Sequence, residues 1–283
     1  MLTKISADKF TLQGVSLGGV YTSIFAPELG TLFDLGIATR SAAAADHIFI
    51  SHGHADHIGA IVSHLGIRAL VGKRKPPTVY LPVEIDKPLR EMLKITKELH
   101  GYDMDIVTVP MEHGQRAKIR GDLEVLAFKT HHRVPSLGFS LIRTITKLRT
   151  EFVGLPGHEI AQRKRAGEDL FRTEERTELS YSTDTLVQVL DNNPQLYKSR
   201  VLILECTFLD KKKSLAAARA GCHIHLDELI ERAELFENKA LVLMHFSQLY
   251  KPQEVREVLK SRCPAHLFER IVPFLPKSKH WPG

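Results

Sequence analysis

The feature that most constrains this 283-residue chain is a group of three histidines and one aspartate that follows an apolar run. The run His47–Ile50 predicts a β-strand. His52 and His54 are two residues apart, so on an extended segment both side chains point the same way. Asp56 and His57 fall where the chain must turn into a helix, and Asp56 is a candidate N-cap of that helix. Oxygen and imidazole ligands from one loop favour zinc or a similar first-row metal, so the sequence predicts a metal site built around His52, His54, Asp56 and His57.

The rest of the chain alternates short apolar runs with Pro and Gly, a pattern typical of strands separated by turns. Further predicted strands are Val20–Phe25, Thr31–Leu35, Thr78–Leu81, Ile106–Val109, Leu123–Lys129, Gly138–Arg143, Leu179–Ser182, Val201–Glu205 and Ala240–His245. Predicted helices are Ile58–Leu65, Leu89–His100, Thr185–Leu190, Ile224–Phe236 and Gln253–Lys260. No sequence repeat is visible, but strand-rich halves that each end in helices predict an α/β protein, a β-sandwich flanked by helices.

Composition is that of an ordinary globular protein, with 43% hydrophobic and 25% charged residues. The formal net charge of +6 is a mild bias toward polyanionic partners. No apolar run approaches the roughly 18 residues that a membrane span needs, and the N-terminus shows no apolar signal core. The three cysteines are sparse and unpaired in spacing, which is typical of a reducing compartment. We expect a cytoplasmic protein without a membrane segment.

Residues Leu148–Thr177 depart from this pattern. They are rich in charges and in Gly and Pro, with few periodic apolar residues. Two interpretations remain open: a solvated loop or short linker, or an arm that projects from the fold.

The metal-binding loop has the form His-x-His-x-Asp-His, and this is the signature of the metallo-β-lactamase superfamily. Over nearly its whole length the chain resembles one branch, tRNase Z (ribonuclease Z), and most closely its short, plant-like forms. The other matching motifs are Phe33–Gly36, Phe128–Phe139, Tyr181–Thr185 and Leu243–Ser247. The resemblance implies an αββα sandwich in a single domain over residues 1–283, with residues 148–177 as a candidate tRNA-binding arm.

The resemblance also implies two Zn²⁺ ions per chain. His52, His54 and His132 would hold one ion, while Asp56, His57 and His245 would hold the other, with Asp184 between them. The family's spacing to the following Gly selects His132, so His131 is a bystander or a support for a ligand. Asp34 closes an apolar strand, and we expect it to orient a ligand histidine; an ordinary turn role is the alternative.

Two segments, Glu205–Phe208 and Gly221–His225, resemble the family's motif that supplies a Glu and a His near the scissile phosphate. The following helix favours His223 over His225 as the proton donor. Glu205 would hold that imidazole in its charged form. Asp56 would bind metal and also accept the proton of the attacking water.

For function, the resemblance implies a zinc-dependent endoribonuclease that removes 3′ trailers from tRNA precursors, working as a homodimer. Two basic tracts are candidates for contacts to RNA phosphates. They are Arg163, Lys164 and Arg165, and Lys73, Arg74 and Lys75. The alternative is a hydrolase of small phosphodiesters or other small esters on the same fold. A silent RNA-binding subunit is disfavoured because every proposed ligand is present.

Three positions depart from the family's usual pattern. Thr183 stands where Gly usually precedes the aspartate between the metals, so the local backbone can differ. His223-Ile224-His225 replaces the common His-Ser-Thr, as in the short plant-like forms. The segment Gly154–Ile160 lacks the longer Gly-Pro pattern of many bacterial arms. The first two concern the rate, and the third concerns the choice of substrate.

Overall fold

The computed structural model describes residues 2–282, and the strands within them form two seven-stranded sheets. The first sheet contains β1 (Thr3–Ala7), β2 (Phe10–Leu17), β3 (Tyr21–Ala26), β4 (Thr31–Phe33), β5 (His47–Phe49), β6 (Thr78–Pro82) and β7 (Val107–Met111). The second contains β8 (Arg116–Arg120), β9 (Leu123–Lys129), β10 (Leu137–Leu148), β11 (Phe171–Ser182), β12 (Val201–Glu205), β13 (Ala240–Met244) and β14 (Ile271–Pro273).

Both sheets repeat one pattern of pairing. Strands β1 to β4 are antiparallel neighbours, and β4 to β7 are parallel neighbours. Strands β8 to β11 and β11 to β14 follow the same rule. The two halves of the chain are therefore structural repeats, although their sequences do not show it.

The helices are α1 (Ala55–Ile58), α2 (Ile61–Leu70), α3 (Val83–His100), α4 (Gly157–Arg165), α5 (Gln188–Asn192), α6 (Leu215–Ala220), α7 (Leu226–Ile230), α8 (Pro252–Arg262) and α9 (Ala265–Phe268). Among residues 2–282, no helix combines the length and the apolar character needed to cross a membrane.

Successive side chains of the central strands pack alternately on the two faces of the sheet, and this explains the layers. In β12, Val201 and Ile203 pack in the core between the sheets, and Leu202 and Leu204 pack against helices on the outer face. Helices α5, α7, α8 and α9 cover that face, while α2 and α3 cover the first sheet. Strands buried on both faces read as continuous apolar runs. The predicted αββα sandwich is confirmed.

Several helix predictions need correction. The predicted helix Ile224–Phe236 is two pieces, α7 and a 3₁₀ turn at Ala233–Leu235, because His225 caps α7 and the chain turns after Glu231. The predicted helix Ile58–Leu65 is α2, which begins at Ile61 after the short α1. Strands β1, β2, β8 and β14 and helices α4, α6 and α9 were not predicted.

Strands β10 and β11 extend beyond the sheet as a two-stranded ribbon. Their mutual pairing runs from Phe139 opposite Tyr181 to Leu148 opposite Phe171. Strand β9 pairs with β10 only as far as Arg143, and β12 pairs with β11 only from Leu179. The distal halves therefore pair with each other alone, and α4 lies in the connection between them. The distal side chains are exposed on both faces of the ribbon and show no apolar alternation. The sequence therefore predicted both strands to be shorter than they are.

Candidate metal centre and active site

The predicted ligands all follow the carboxyl ends of strands at one edge of the sandwich. The loop after β5 carries the first four, and the loop between β9 and β10 carries His132. Asp184 follows β11, and His245 follows β13 directly. Because parallel strands end at the same edge of a sheet, the fold brings residues from both halves of the chain together.

One group of four side chains, here called the first cluster, consists of His52, His54, His132 and Asp184. Nε2 of His52 and Nε2 of His132 lie 3.1 and 3.2 Å from Nδ1 of His54. Oδ2 of Asp184 lies 3.9 and 4.0 Å from the same two Nε2 atoms. Ligand atoms about 2.1 Å from a tetrahedral zinc are about 3.4 Å from one another, so these separations fit a single ion.

The second cluster consists of Asp56, His57, Asp184 and His245. Nε2 of His57 lies 3.4 Å from Oδ2 of Asp56 and 3.3 Å from Oδ1 of Asp184. Nε2 of His245 lies 3.1 Å from the same Asp184 oxygen. Both Nε2 atoms are buried without a hydrogen-bond partner among residues 2–282. Such unpaired buried nitrogens are costly, and a metal ion would satisfy both, so the donor set fits a metal.

Asp184 belongs to both clusters, with one carboxylate oxygen toward each. It adopts a left-handed backbone conformation, φ 45°, that is uncommon for a residue with a side chain. The hydroxyl of Thr183 donates to Oδ1 of Asp184 at 2.9 Å. Burial alone would raise the pKa of Asp184, but His245 and His57 hold it well below its usual value. The carboxylate is therefore charged, with Oδ2 in the first cluster and Oδ1 in the second.

The protonation of one residue from each cluster, His52 and Asp56, suits metal binding. Burial, together with the neighbouring His57, lowers the pKa of His52 to about 2. Burial raises and the neighbouring His57 imidazole lowers the pKa of Asp56, and the net result is a pKa of about 2. His52 is thus a neutral imidazole and Asp56 a carboxylate, the forms that coordinate a metal.

The buried carboxylate of Asp34 orients two of the predicted ligands, His57 and His52. Its Oδ2 accepts hydrogen bonds from Nδ1 of His57 at 2.7 Å, from Tyr181 at 2.6 Å and from the Ser51 hydroxyl at 2.8 Å. The Ser51 hydroxyl in turn lies 2.9 Å from Nδ1 of His52. The buried carboxylate therefore contacts one ligand directly and reaches a second through a hydroxyl, with each Nε2 turned toward the metal clusters.

Glu205 has an equivalent arrangement in the second half of the chain. Its Oε1 lies 3.1 Å from Nδ1 of His223, and its Oε2 accepts a 2.5 Å hydrogen bond from the Thr207 hydroxyl. That hydroxyl lies 3.0 Å from Nδ1 of His245. Burial would lower the pKa of His223, but the Glu205 carboxylate outweighs it and raises the pKa to about 9. His223 therefore carries a proton at neutral pH.

A cavity of about 290 Å³ opens over the clusters, here called the catalytic cavity. Its lining includes His54, Asp56, His132, Asp184 and His223. The alternative donor His225 lies elsewhere, since it is the N-cap of α7 and its Nε2 lies 3.2 Å from the carbonyl oxygen of Asp210. His131 is outside both clusters, and its Nε2 contacts Asn192. The structure thus brings together the seven predicted ligands, His223 and Glu205.

The role of Asp56 as an N-cap, which its position before the helix suggested, is wrong. The N-cap of α1 is His54, and Asp56 lies in the first turn. Its main chain contacts Gly36, where an added Cβ would lie 1.9 Å from the Asp56 carbonyl oxygen. Only glycine permits this close approach, so Gly36 fixes the position of the Asp56 loop.

The two basic tracts occupy different places. Arg163, Lys164 and Arg165 form the last turn of α4 in the ribbon, away from both clusters in the chain. Arg163 lies over the ring of Phe152, and Lys164 over the ring of Phe171. The tract Lys73–Lys75 precedes β6 and so lies at the amino end of a strand whose carboxyl end faces the site. The structure therefore places this second tract at the opposite edge of the sandwich.

Four residues with evident supporting roles were not predicted: Ser51, Tyr181, Thr183 and Thr207. All four adjoin or lie within the motifs that carried the prediction, but nothing in a hydroxyl's position in the sequence indicates which carboxylate it will contact. A polar residue immediately beside a ligand motif was the available signal.

Comparison with known proteins agrees with this geometry. The profile of the Beta-lactamase superfamily domain matches residues 24–246. The chain is 35% identical to tRNase Z TRZ1 of Arabidopsis thaliana over 257 residues, which cover 90% of this chain and 91% of that one. It is 31% identical to the chloroplastic tRNase Z TRZ2 of the same plant, over 95% of this chain and 76% of the relative.

A solved structure shows the same fold. The short form of human tRNase Z superposes with a TM-score of 0.57 at 21% identity, covering 83% of this chain and 92% of the human chain.

Proposed function

The chain belongs to the tRNase Z family of the β-lactamase superfamily, and we propose that it is the endoribonuclease that removes 3′ trailers from tRNA precursors. The observation that carries this proposal is that two clusters share Asp184 and that His223, paired with Glu205, lies at the wall of the same cavity. That combination suits hydrolysis of a phosphodiester with a poor leaving group, which needs both charge neutralisation and a proton donor.

We propose two Zn²⁺ ions per chain, one held by each cluster. The tetrahedral separations in the first cluster and the unpaired Nε2 atoms in the second support this occupancy. When bound, the ions supply Lewis acidity that lowers the pKa of water and neutralises phosphate charge.

Side chains of the protein accept and donate the protons in the reaction. Asp56 faces the cavity as a carboxylate and accepts a proton from the attacking water. The water oxygen forms a bond to phosphorus while the bond from phosphorus to the tRNA 3′ oxygen breaks. His223 donates its proton to that 3′ oxygen, and Glu205 holds the imidazole in place throughout. The products are a tRNA with a 3′-hydroxyl and a trailer with a 5′-phosphate.

We propose that the ribbon formed by the distal halves of β10 and β11, with α4, is the tRNA-binding arm. Residues 148–177 contain six basic and six acidic side chains, so the segment as a whole is neutral. The concentration of Arg163, Lys164 and Arg165 in one turn is what gives the arm a local positive surface. Contacts from this turn to RNA phosphates would add affinity that depends on salt and not on sequence.

We propose that the protein is a homodimer in which two copies meet through α3. Met92, Ile95 and Leu99 are 42%, 61% and 81% exposed, and their spacing places them on one stripe of the helix. A second copy would bury this stripe. Sedimentation analysis of the double variant Ile95→Glu, Leu99→Glu should show monomers. The control Leu70→Glu changes an 87% exposed leucine off the stripe and should remain dimeric.

We propose a cytoplasmic location. Free cysteines at Cys206, Cys222 and Cys263 suit a reducing compartment. Because one relative is named chloroplastic, imaging of a fluorescent fusion should distinguish the cytoplasm from an organelle.

The decisive test is incubation of the metal-loaded protein with a precursor tRNA and mapping of the cut. We expect a tRNA ending in a 3′-hydroxyl and a trailer beginning with a 5′-phosphate. The variant Asp184→Asn should be inactive, because the amide loses the negative charge that both clusters share. Hydrolysis of small phosphodiesters without any cleavage of precursor tRNA would overturn the proposal.

A further inference from the structure

A second, larger cavity of about 470 Å³ lies beside the catalytic cavity and takes no part in the proposed chemistry. It is called the side cavity here. Its walls come from the carboxyl ends of β6, β7 and β9 and from the start of β10, so it opens between the sheets at the edge that holds the clusters. Its volume is within the range of small-molecule binding sites.

The two cavities share a wall. His132 and Arg133 line both of them. The guanidinium of Arg133 also donates to the carbonyl oxygen of Ala220, which anchors the side chain at the wall between the two cavities. A phosphodiester chain that leaves the clusters past His132 would therefore pass an arginine and enter the side cavity.

The lining of the side cavity suits a nucleobase. Nδ1 of His113 accepts a 3.1 Å hydrogen bond from the backbone N–H of Lys129, which fixes the orientation of an exposed imidazole ring. An aromatic ring held in this way is a stacking surface for a base. Val134 adds an apolar side chain to the lining, and the carboxylates of Glu84 and Glu112 can accept hydrogen bonds from base amino groups.

The polarity of the reaction decides which nucleotide arrives there. His223 protonates the 3′ oxygen of the tRNA, so the tRNA end lies on the His223 side of the phosphate. The 5′ oxygen stays bonded to phosphorus and carries the trailer, which must leave by another side. His223 lines the catalytic cavity but is not among the described residues that line the side cavity.

We propose that the side cavity binds the first nucleotide of the trailer, with its base stacked on His113 and its backbone guided by Arg133. This inference rests on the proposed function. It makes His113 a residue that recognises the leaving strand without touching the reacting phosphorus.

The experiment uses the metal-loaded protein and two precursor tRNAs that differ only in the first trailer nucleotide, which is intact in one and abasic in the other. Loss of the base should lower kcat/KM about tenfold for the wild type, since stacking on an aromatic side chain is worth that much or more. The variant His113→Ala should cleave the intact substrate about tenfold more slowly and show no further loss with the abasic one. His113→Phe should restore the difference.

Two controls accompany these variants. His266→Ala removes a histidine on α9, outside the residues that line the two cavities, and should behave as the wild type. Hydrolysis of a small chromogenic phosphodiester should be unchanged in His113→Ala. A 5′-phosphorylated dinucleotide should inhibit that hydrolysis in the wild type and about tenfold less strongly in His113→Ala.

The outcomes distinguish failure of this inference from failure of the proposed function. Equal cleavage of both substrates by the wild type overturns the inference. So does a tenfold further loss in His113→Ala with the abasic substrate. If the wild type cleaves no precursor tRNA at all, the proposed function fails instead.

Discussion

Nδ1 of His57 lies 2.7 Å from a carboxylate oxygen of Asp34, on the side of the ring opposite the unpaired Nε2. The same relationship joins His223 to Glu205 in the second half of the chain, and each carboxylate reaches a further imidazole through a hydroxyl. The Asp34 network therefore places the hydrogen of His57 and of His52 on Nδ1, which leaves each Nε2 turned toward the clusters.

The first prediction tests the Asp34 network. Asp34→Asn should weaken metal binding about 10- to 100-fold, because one amide oxygen cannot replace the charged acceptor of three hydrogen bonds. Titration against a chromogenic zinc chelator measures the affinity. Asp103→Asn, a change at an exposed aspartate, is the control. An unchanged zinc affinity in Asp34→Asn would mean that the imidazoles hold their orientation without the carboxylate.

The second prediction concerns Thr207, whose hydroxyl connects Glu205 to His245. Thr207→Val keeps the shape but removes both hydrogen bonds, so it should weaken binding of one metal of the pair by about tenfold or more. Thr207→Ser keeps the hydroxyl and should bind both metals as the wild type does. Calorimetric titration of metal into the stripped proteins resolves the two sites. If Val and Ser variants bind alike, the threonine contributes packing alone.

The third prediction concerns the glycine behind Asp56. Gly36→Ala would place a methyl group 1.9 Å from the Asp56 carbonyl oxygen, so the loop must move. We expect the purified variant to carry less than one metal per chain by elemental analysis. Gly157→Ala, where a Cβ meets nothing within 4 Å, should keep both metals. A fully loaded Gly36→Ala protein would show that the loop tolerates the shift.

Much of this site was accessible from the sequence because its chemistry is concentrated in short motifs. The loop after β5 is recognisable because four ligands follow one apolar run. The supporting residues are not, since Thr207 and His245 are far apart in the chain and meet only when β12 and β13 pair. Left-handed backbone at Asp34, Asp184 and His245 was equally hidden, because residues with side chains rarely adopt it.

The fold shows the same division. Strands β9 and β12 were predicted to the residue because their apolar runs are buried. The distal half of β11 was missed because its side chains are charged and exposed. Helix α4 has no buried residue, so its sequence lacks the apolar periodicity from which a helix could be predicted.

The fourth prediction concerns stability in acid. His64 is buried in α2, and neither ring nitrogen has a hydrogen-bond partner among residues 2–282. Burial, with a contribution from Arg68, lowers its pKa from 6.5 to about 4. Below pH 6.5 the unfolded chain binds this proton and the folded protein does not, so folding is weakened as the pH falls toward 4. The loss should total about 3 kcal/mol.

The variant His64→Leu isolates this contribution. Urea unfolding of both proteins between pH 7 and pH 4 should show a smaller loss of unfolding free energy in the variant. The difference should grow across that window and level off below about pH 4. Parallel curves for the two proteins would assign the acid sensitivity to other groups.

The fifth prediction separates tRNA processing from hydrolysis of small esters. Because Leu148 pairs with Phe171, residues 149–170 can be replaced by an Asn-Gly turn that closes the ribbon in register. The clusters lie at the other end of the fold, so this protein should keep both metals and hydrolyse a small chromogenic phosphodiester normally. It should lose cleavage of precursor tRNA. Normal tRNA cleavage would make the ribbon a surface feature without a role in binding.

Charge reversal tests how the arm acts. Changing Arg163, Lys164 and Arg165 to Glu should raise KM for tRNA about tenfold or more at low salt, with kcat for the small diester unchanged. Since those charges no longer displace counterions, KM should also rise less steeply with salt than in the wild type. The tract Lys73–Lys75 offers a matched control, because its reversal changes the net charge equally at a place outside the ribbon. If both triple variants raise KM for tRNA equally, the net charge of the protein attracts the RNA, and the arm makes no specific contacts with its phosphates.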